Sequence, residues 1–312
     1  MMDYAEFKEK LKNEIKNFLP TEYKNAEICV NKISKNNRTI EGLSIRKPGM
    51  TMSPCIYMEY IYEDYKASGD FKACIKDTVE QYLDNLENVA EKTGVGELKN
   101  INFVKEHVVF QLINTAQNTE RLAKLPHRDF HDLSIIYRIV MKAEKSGIIS
   151  TIITNELASE YNISEEMLYS LAYENTRNVF PVKIVNLVDM LNSTVGVETN
   201  GNVDDNIGIL VATNTFGING AYCILYKDVL ENIADKLGGD FYILPSSIHE
   251  ILAVPAGTAS SKELAQMVLE VNQTEVLLEE RLSNHVYYYN QKTHKIECDT
   301  AIKETLIWKK SL

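Results

Sequence analysis

Ser134-Ile135-Ile136-Tyr137-Arg138-Ile139-Val140-Met141 is a run dominated by β-branched and aromatic residues. Gly147 marks a turn before a second such run, Ile148-Ile149-Ser150-Thr151-Ile152-Ile153-Thr154. Side chains of this kind fit a pleated surface, and two such runs joined by a short turn predict an antiparallel hairpin. This pair decides the fold class. A doubly wound parallel sheet needs a long crossover, usually a helix, between consecutive strands, and here there is none.

Toward the C-terminus the same reading continues. Ser164 is placed to cap a helix that has Glu165 and Glu166 in its first turn and carries Met167, Leu168, Leu171 and Ala172 inward. Ser193 to Asn206 is polar and rich in Gly and Asn, and is read as a linker or exposed loop. Ile207 to Ala212 and Gly220 to Leu225 are expected as strands. Val229, Leu230, Ile233 and Leu237 mark a helix closed by Gly238-Gly239. Phe241 to Leu244 and Ile251 to Val254 read as strands around Pro245. Ser260 and Glu263 fit a capping box before a helix carrying Leu264, Met267, Val268 and Val271. His285 to Tyr289 and Lys295 to Cys298 make a closing hairpin.

Toward the N-terminus, Val108 to Ile113 is an apolar run and Asn118 to Leu125 a short helix. Phe71, Ile75, Val79, Leu83, Leu86 and Val89 form a long helical stripe ended by Gly94. Ala26 to Ile33 and Thr39 to Ile45 pair across Asn36-Asn37. Tyr4, Phe7, Leu11, Ile15 and Phe18 share one face of a helix stopped by Pro20. The expected class is α+β, with mixed, largely antiparallel sheets, packed helices and two or three subdomains. Residues 1–100 read as a helix–hairpin–helix unit, 101–195 as a middle α+β segment and 196–312 as a C-terminal α+β segment.

Among 312 residues the acids outnumber the bases 44 to 33, for a net charge of -11. No Lys/Arg run suggests a basic groove, so nucleic acid is not expected as a partner. Lys8, Lys10, Lys12, Glu14 and Lys16 interrupt the first residues, which argues against a secretory signal. No stretch approaches the roughly 18 apolar residues of a membrane span. The five cysteines, Cys29, Cys55, Cys74, Cys223 and Cys298, are odd in number and widely spaced. Reduced thiols in a cytoplasm are expected.

Several motifs begin and then fail. His249-Glu250 opens like HExxH, but Ala253 stands where the second zinc ligand belongs. His127-Arg128-Asp129 opens like a kinase catalytic loop, but Ser134 replaces the magnesium-binding Asn. His127, Asp129, His131 and Asp132 are the densest polar cluster. If Pro126 opens a helical turn, His127 and His131 share a face and become metal-ligand candidates; the alternative is a capped turn with surface charge. Ser247 and His249 share a face if their strand continues, which makes Ser247, His249 and Glu250 candidate catalytic residues. Cys55 is read as a buried structural thiol, Asn219-Gly220 as a hairpin turn, and Tyr287-Tyr288-Tyr289 as an aromatic sheet edge or an interaction surface.

Gly42-Leu43-Ser44-Ile45-Arg46-Lys47-Pro48-Gly49, Leu112-Ile113-Asn114-Thr115, Pro126-His127-Arg128-Asp129-Phe130 and Glu174-Asn175-Thr176 carry a family likeness. So do Tyr242 to Glu250, Val271-Asn272-Gln273-Thr274 and Leu282 to Tyr287. Over nearly the full length these stretches resemble an uncharacterised bacterial family, domain-of-unknown-function family 5688. Residues 130 to 290 are more distantly similar to family 1444. Neither resemblance implies an activity or cofactor. The polar residues inside the motifs, His127, Arg128, Asp129 and Asn175 with Ser246, Ser247, His249 and Glu250, are nominated as a ligand or active site. No cofactor is expected. The expected function is a non-catalytic cytoplasmic binding or regulatory protein with a protein or small-molecule partner. The alternative is a hydrolase that uses Ser246-Ser247-Ile248-His249-Glu250.

Overall fold

The computed structural model describes residues 1–50, 53–92, 95–144, 147–195 and 208–298. The chain forms two compact units, one from Met1 to Val95 and one beginning at Gly96. No helix among the described residues is long and apolar enough to cross a membrane.

In the first unit, α1 (Tyr4–Glu14) starts at an Asp3–Glu6 capping box. β1 (Glu27–Lys35) and β2 (Arg38–Arg46) form the expected hairpin, with Asn37 at φ 60° in its turn. β3 (Cys55–Tyr57) adds to β2, and α2 (Met58–Ser68) and α3 (Phe71–Lys92) follow. Phe7, Leu11 and Ile15 of the first helical stretch are fully buried, and the Phe7 ring stacks on Tyr65 at 5.1 Å. Cys55 is exposed and not buried as expected, because its strand is the sheet's short edge.

The second unit holds two sheets that share a large apolar core, with two smaller apolar clusters on their other faces. α4 (Ile101–His107) leads into β4 (Val108–Asn114), followed by α5 (Thr119–Leu122), β5 (His127–Phe130), β6 (Leu133–Glu144) and β7 (Gly147–Ile152). β6 is central, pairing antiparallel with β4, β5 and β7, and the β6–β7 hairpin carries a bulge at Val140/Lys142. α6 (Asn155–Glu160) and α7 (Glu165–Val179) precede β8 (Val182–Asn186), α8 (Leu187–Val195) and β9 (Leu210–Asn214). α9 (Lys227–Leu237), β10 (Phe241–Leu244), β11 (Ile251–Pro255), α10 (Ser261–Thr274), β12 (Tyr287–Asn290) and β13 (Lys295–Cys298) complete it. The larger sheet has the order β13-β12-β10-β11-β9-β8, antiparallel throughout. The α+β class is therefore the observed one.

Four local expectations are corrected. Gly220–Leu225 is a 3₁₀ helix and not a strand; its first five residues are buried, and a short apolar run does not distinguish the two. Pro126 opens no helical turn: His127–Phe130 is β5, and His131 sits at φ 56° in the turn into β6, so no shared helical face forms. The expected loop at 193–206 begins too early, because α8 runs to Val195; positions 196–206, like the Gly94 helix stop, lie outside the described residues. The tyrosine run is no edge, since β12 lies between β10 and β13. Tyr287 and Tyr289 are buried, and Tyr288 donates to Asp240 at 2.6 Å.

Candidate functional site

Asp132 stands at the β5–β6 turn, where its backbone carbonyl accepts the Thr115 N–H at 3.0 Å. Its carboxylate receives three side chains from β12 of the larger sheet and the segment leading into it. Ser283 Oγ donates to Oδ2 at 2.7 Å, His285 Nδ1 to Oδ2 at 2.9 Å, and the Tyr287 hydroxyl to Oδ1. The three donors are alternate residues of the segment that runs through a bend at Asn284 into β12.

That segment is held from several directions. Asn114 at the end of β4 donates to the Leu282 carbonyl at 2.9 Å, and Asn272 of α10 to the Ser283 carbonyl at 2.8 Å. The Leu282 and Ser283 N–H groups bond to Ser246 and Pro245 carbonyls, both at 2.9 Å. The His285 N–H closes on Ser283 Oγ at 2.8 Å.

Burial works to raise the Asp132 pKa, but the hydrogen bonds from His285, Tyr287 and Ser283 outweigh it and hold the carboxyl below its usual range. The same carboxylate lifts His285 above its ordinary value, against the opposing effect of burial. Tyr287 is fully buried; burial and then the Asp132 charge push its hydroxyl well upward, so it stays protonated and donates. Asp132 therefore fixes the proton of neutral His285 on Nδ1 and leaves Nε2 as the basic atom.

Cys298 is the cross-strand partner of Tyr287, and cross-strand partners project from the same face. Its Sγ, a ring nitrogen of His285 and a carboxylate oxygen of Asp132 lie within 4.8 Å of one another. Asp, His and Cys are also zinc ligands. For Asp132 and His285 Nδ1 to ligate a metal, however, the hydrogen bonds that stabilise the carboxylate would have to break.

The nominated residues fall in several places. Ser247 is buried, and its Oγ accepts the backbone N–H of His249 at 3.0 Å and not its ring. The His249 ring accepts the Asn219 N–H on Nδ1 at 3.2 Å and turns Nε2 to Glu280 at 3.4 Å. Glu250 lies beside it, its pKa raised by burial. His127 is exposed, with Nδ1 at 2.9 Å from the Leu125 carbonyl. Arg128 pairs with Glu165 at 2.8 Å and stacks over Tyr169 at 3.9 Å, while Asp129 is exposed. Asn175 ties α7 to the Lys105 carbonyl at 2.7 Å. His131 alone of these adjoins the Asp132 cluster, its ring 5.2 Å from that of Tyr287. Ser283, His285 and Cys298 were not nominated, Asp132 was read only as a member of the densest polar cluster, and Tyr287 only as part of a sheet edge or interaction surface. The signal that could have found three of them is the period-two spacing Ser283-x-His285-x-Tyr287.

A family model described as a family of unknown function (DUF5688) matches residues 4–291, and the chain belongs to that family. No curated protein and no solved structure matches it.

Proposed function

For a member of this family we propose an enzymatic role: a cytoplasmic thiol-dependent hydrolase with Cys298 as nucleophile, His285 as base and Asp132 as the group that orients the imidazole. The observation that supports it is the 2.9 Å Asp132–His285 hydrogen bond beside the Cys298 thiol. His285 Nε2 takes the thiol proton, and the thiolate attacks an acyl carbon. The carbon–sulfur bond forms, the bond to the leaving group breaks, and the imidazolium returns the proton to that group. Water then gives a proton to Nε2 and attacks the thioester, which releases the acid and restores the thiol. A working thiol requires a reducing compartment, which is why the cytoplasm is part of the reading.

The test is alkylation of the full chain by iodoacetamide, followed cysteine by cysteine. Cys298 is expected to react faster than exposed Cys55, and His285→Ala to slow it by roughly tenfold or more, through loss of the base that forms the thiolate. Equal rates at the two cysteines, unchanged in His285→Ala, would overturn the proposal. Zinc retained by the untreated protein and lost with any of the three residues would favour a metal site instead.

A non-catalytic binding protein is the second reading. Met267 and Val271 on α10, with Leu277 just beyond it, leave apolar surface exposed. A specific partner lost on Met267→Glu, with thiol reactivity absent throughout, would favour it.

A further inference from the structure

Two guanidinium groups, of half-buried Arg138 and of buried Arg121, belong to one face of the smaller sheet of the second unit and to the short helix packed on it. Arg138 of β6 projects to the face on which Ile113, Ile136 and Ile152 pack with Leu122 of α5 and with Leu125. Arg121 precedes Leu122 on α5, the short helix that this packing lays over the face carrying Arg138. Arg138 is held on three sides: Nε and Nη2 donate to Ser150 Oγ at 3.0 and 2.8 Å, Nη2 also to the Ser150 carbonyl at 3.2 Å, and Nη1 to Gln111 Oε1 at 3.2 Å. Gln111 is itself oriented by its bond to Asn219 Oδ1 at 3.3 Å.

Every one of those acceptors is neutral, so the network fixes the cation without cancelling its charge. Arg121 is only 9% exposed, and its Nη1 is buried with no hydrogen-bond partner. Among the described residues no carboxylate pairs with either arginine. Burial lowers the Arg121 pKa; burial and then the Arg121 charge bring Arg138 down to about 10. Both stay protonated at neutral pH. Buried charges are ordinarily paired, because desolvating a lone ion is costly and a like-charged neighbour adds to that cost.

We propose that Arg121 and Arg138 form an anion site that takes a phosphate group. Two fixed positive charges match a phosphate monoester or free phosphate, which carries about -1.5 to -2 charges at pH 7, whereas a carboxylate carries one. The planar guanidinium edge of Arg121 suits phosphate oxygens. This site is independent of the thiol–imidazole reading, which uses none of these residues.

The test is isothermal titration of the full chain with inorganic phosphate at constant ionic strength, beside acetate and chloride. One phosphate per chain is expected, with acetate and chloride much weaker. Arg121→Met and Arg138→Gln should each weaken binding by roughly ten- to a hundredfold, the range expected for lost charge-assisted hydrogen bonds. A folded Arg121→Met protein is also expected to melt at or above the wild-type temperature in phosphate-free buffer, because it no longer buries an unpaired charge. If either variant fails to fold, the wild-type comparison decides. Acetate binding as tightly as phosphate would overturn the phosphate assignment in favour of a carboxylate ligand. Phosphate no tighter than chloride, or binding unchanged in a folded variant, would overturn the site.

Discussion

Asp132 and His285 lie 153 residues apart in the chain and 2.9 Å apart in the structure, each bringing the charge that stabilises the other. Asp132→Asn removes the anion but keeps the shape. The His285 ring, followed by NMR titration, is expected to fall from its raised pKa toward or below its ordinary 6.5. Stability should drop by about 1–3 kcal/mol, as for a buried hydrogen-bonded group that loses its charged partner. An unmoved titration would show that the contact does not act on the ring.

The pair also sets a pH window. His285 is raised in the folded state, so its contribution is complete below its unfolded pKa near 6.5 and lost as pH climbs through the folded value. Asp132 is lowered, so its contribution is complete above the ordinary 3.8 and lost as pH falls through the folded value. Chemical denaturation of wild type and His285→Asn should therefore differ most between these two limits, and by less as pH climbs through the folded His285 value. A difference that grows with alkalinity would contradict the assigned direction.

Thr176 joins α7 to the edge of the smaller sheet. It is fully buried, its Oγ1 donating to the Ala172 carbonyl at 2.6 Å and accepting the Phe110 N–H at 3.0 Å. Thr176→Val leaves that N–H without an acceptor at nearly constant volume. A loss of about 1–3 kcal/mol in urea denaturation is expected. Amide exchange at Phe110 should rise, whereas a purely packing effect would leave it unchanged.

Gly220 follows Asn219, which sits at φ 54°. A Cβ on Gly220 would stand 2.4 Å from Thr213 Oγ1 and 2.5 Å from the His249 carbonyl. Backbone must move to admit it. Gly220→Ala is expected to lower stability by about 1–3 kcal/mol, the range for overpacking, and to disturb the Asn219–His249 hydrogen bond. A melting temperature equal to wild type would refute that account.

The local devices of this fold were legible. Asn37 turns the first hairpin, Ser164 and Ser260 cap their helices, and Gly238 closes α9 at φ 80°, all through contacts within a few residues. Segments whose state depends on distant packing were not. Gly220–Leu225 is apolar enough for a strand, yet the backbone of its first two residues bonds to the His249 and Ile248 carbonyls and not to a ladder. The candidate site was half visible. Asp132 belonged to the densest polar cluster and His285 to a family motif, but only the packing of the two sheets brings them together.

The turn at Gln291–His294 carries a consequence beyond the hairpin it closes. Asn290 Oδ1 accepts the Thr293 N–H at 3.0 Å, and His294 takes φ 54°, which seats Lys295 opposite Asn290 and so Cys298 opposite Tyr287. The thiol's address is thus counted off by the turn. One residue inserted just after it would bring Glu297 to that address and swing Cys298 to the opposite face. Two would restore the face but displace the sulfur by about 7 Å along the strand. For the proposed chemistry, the length of this hairpin is as strict a requirement as the identity of the groups it delivers.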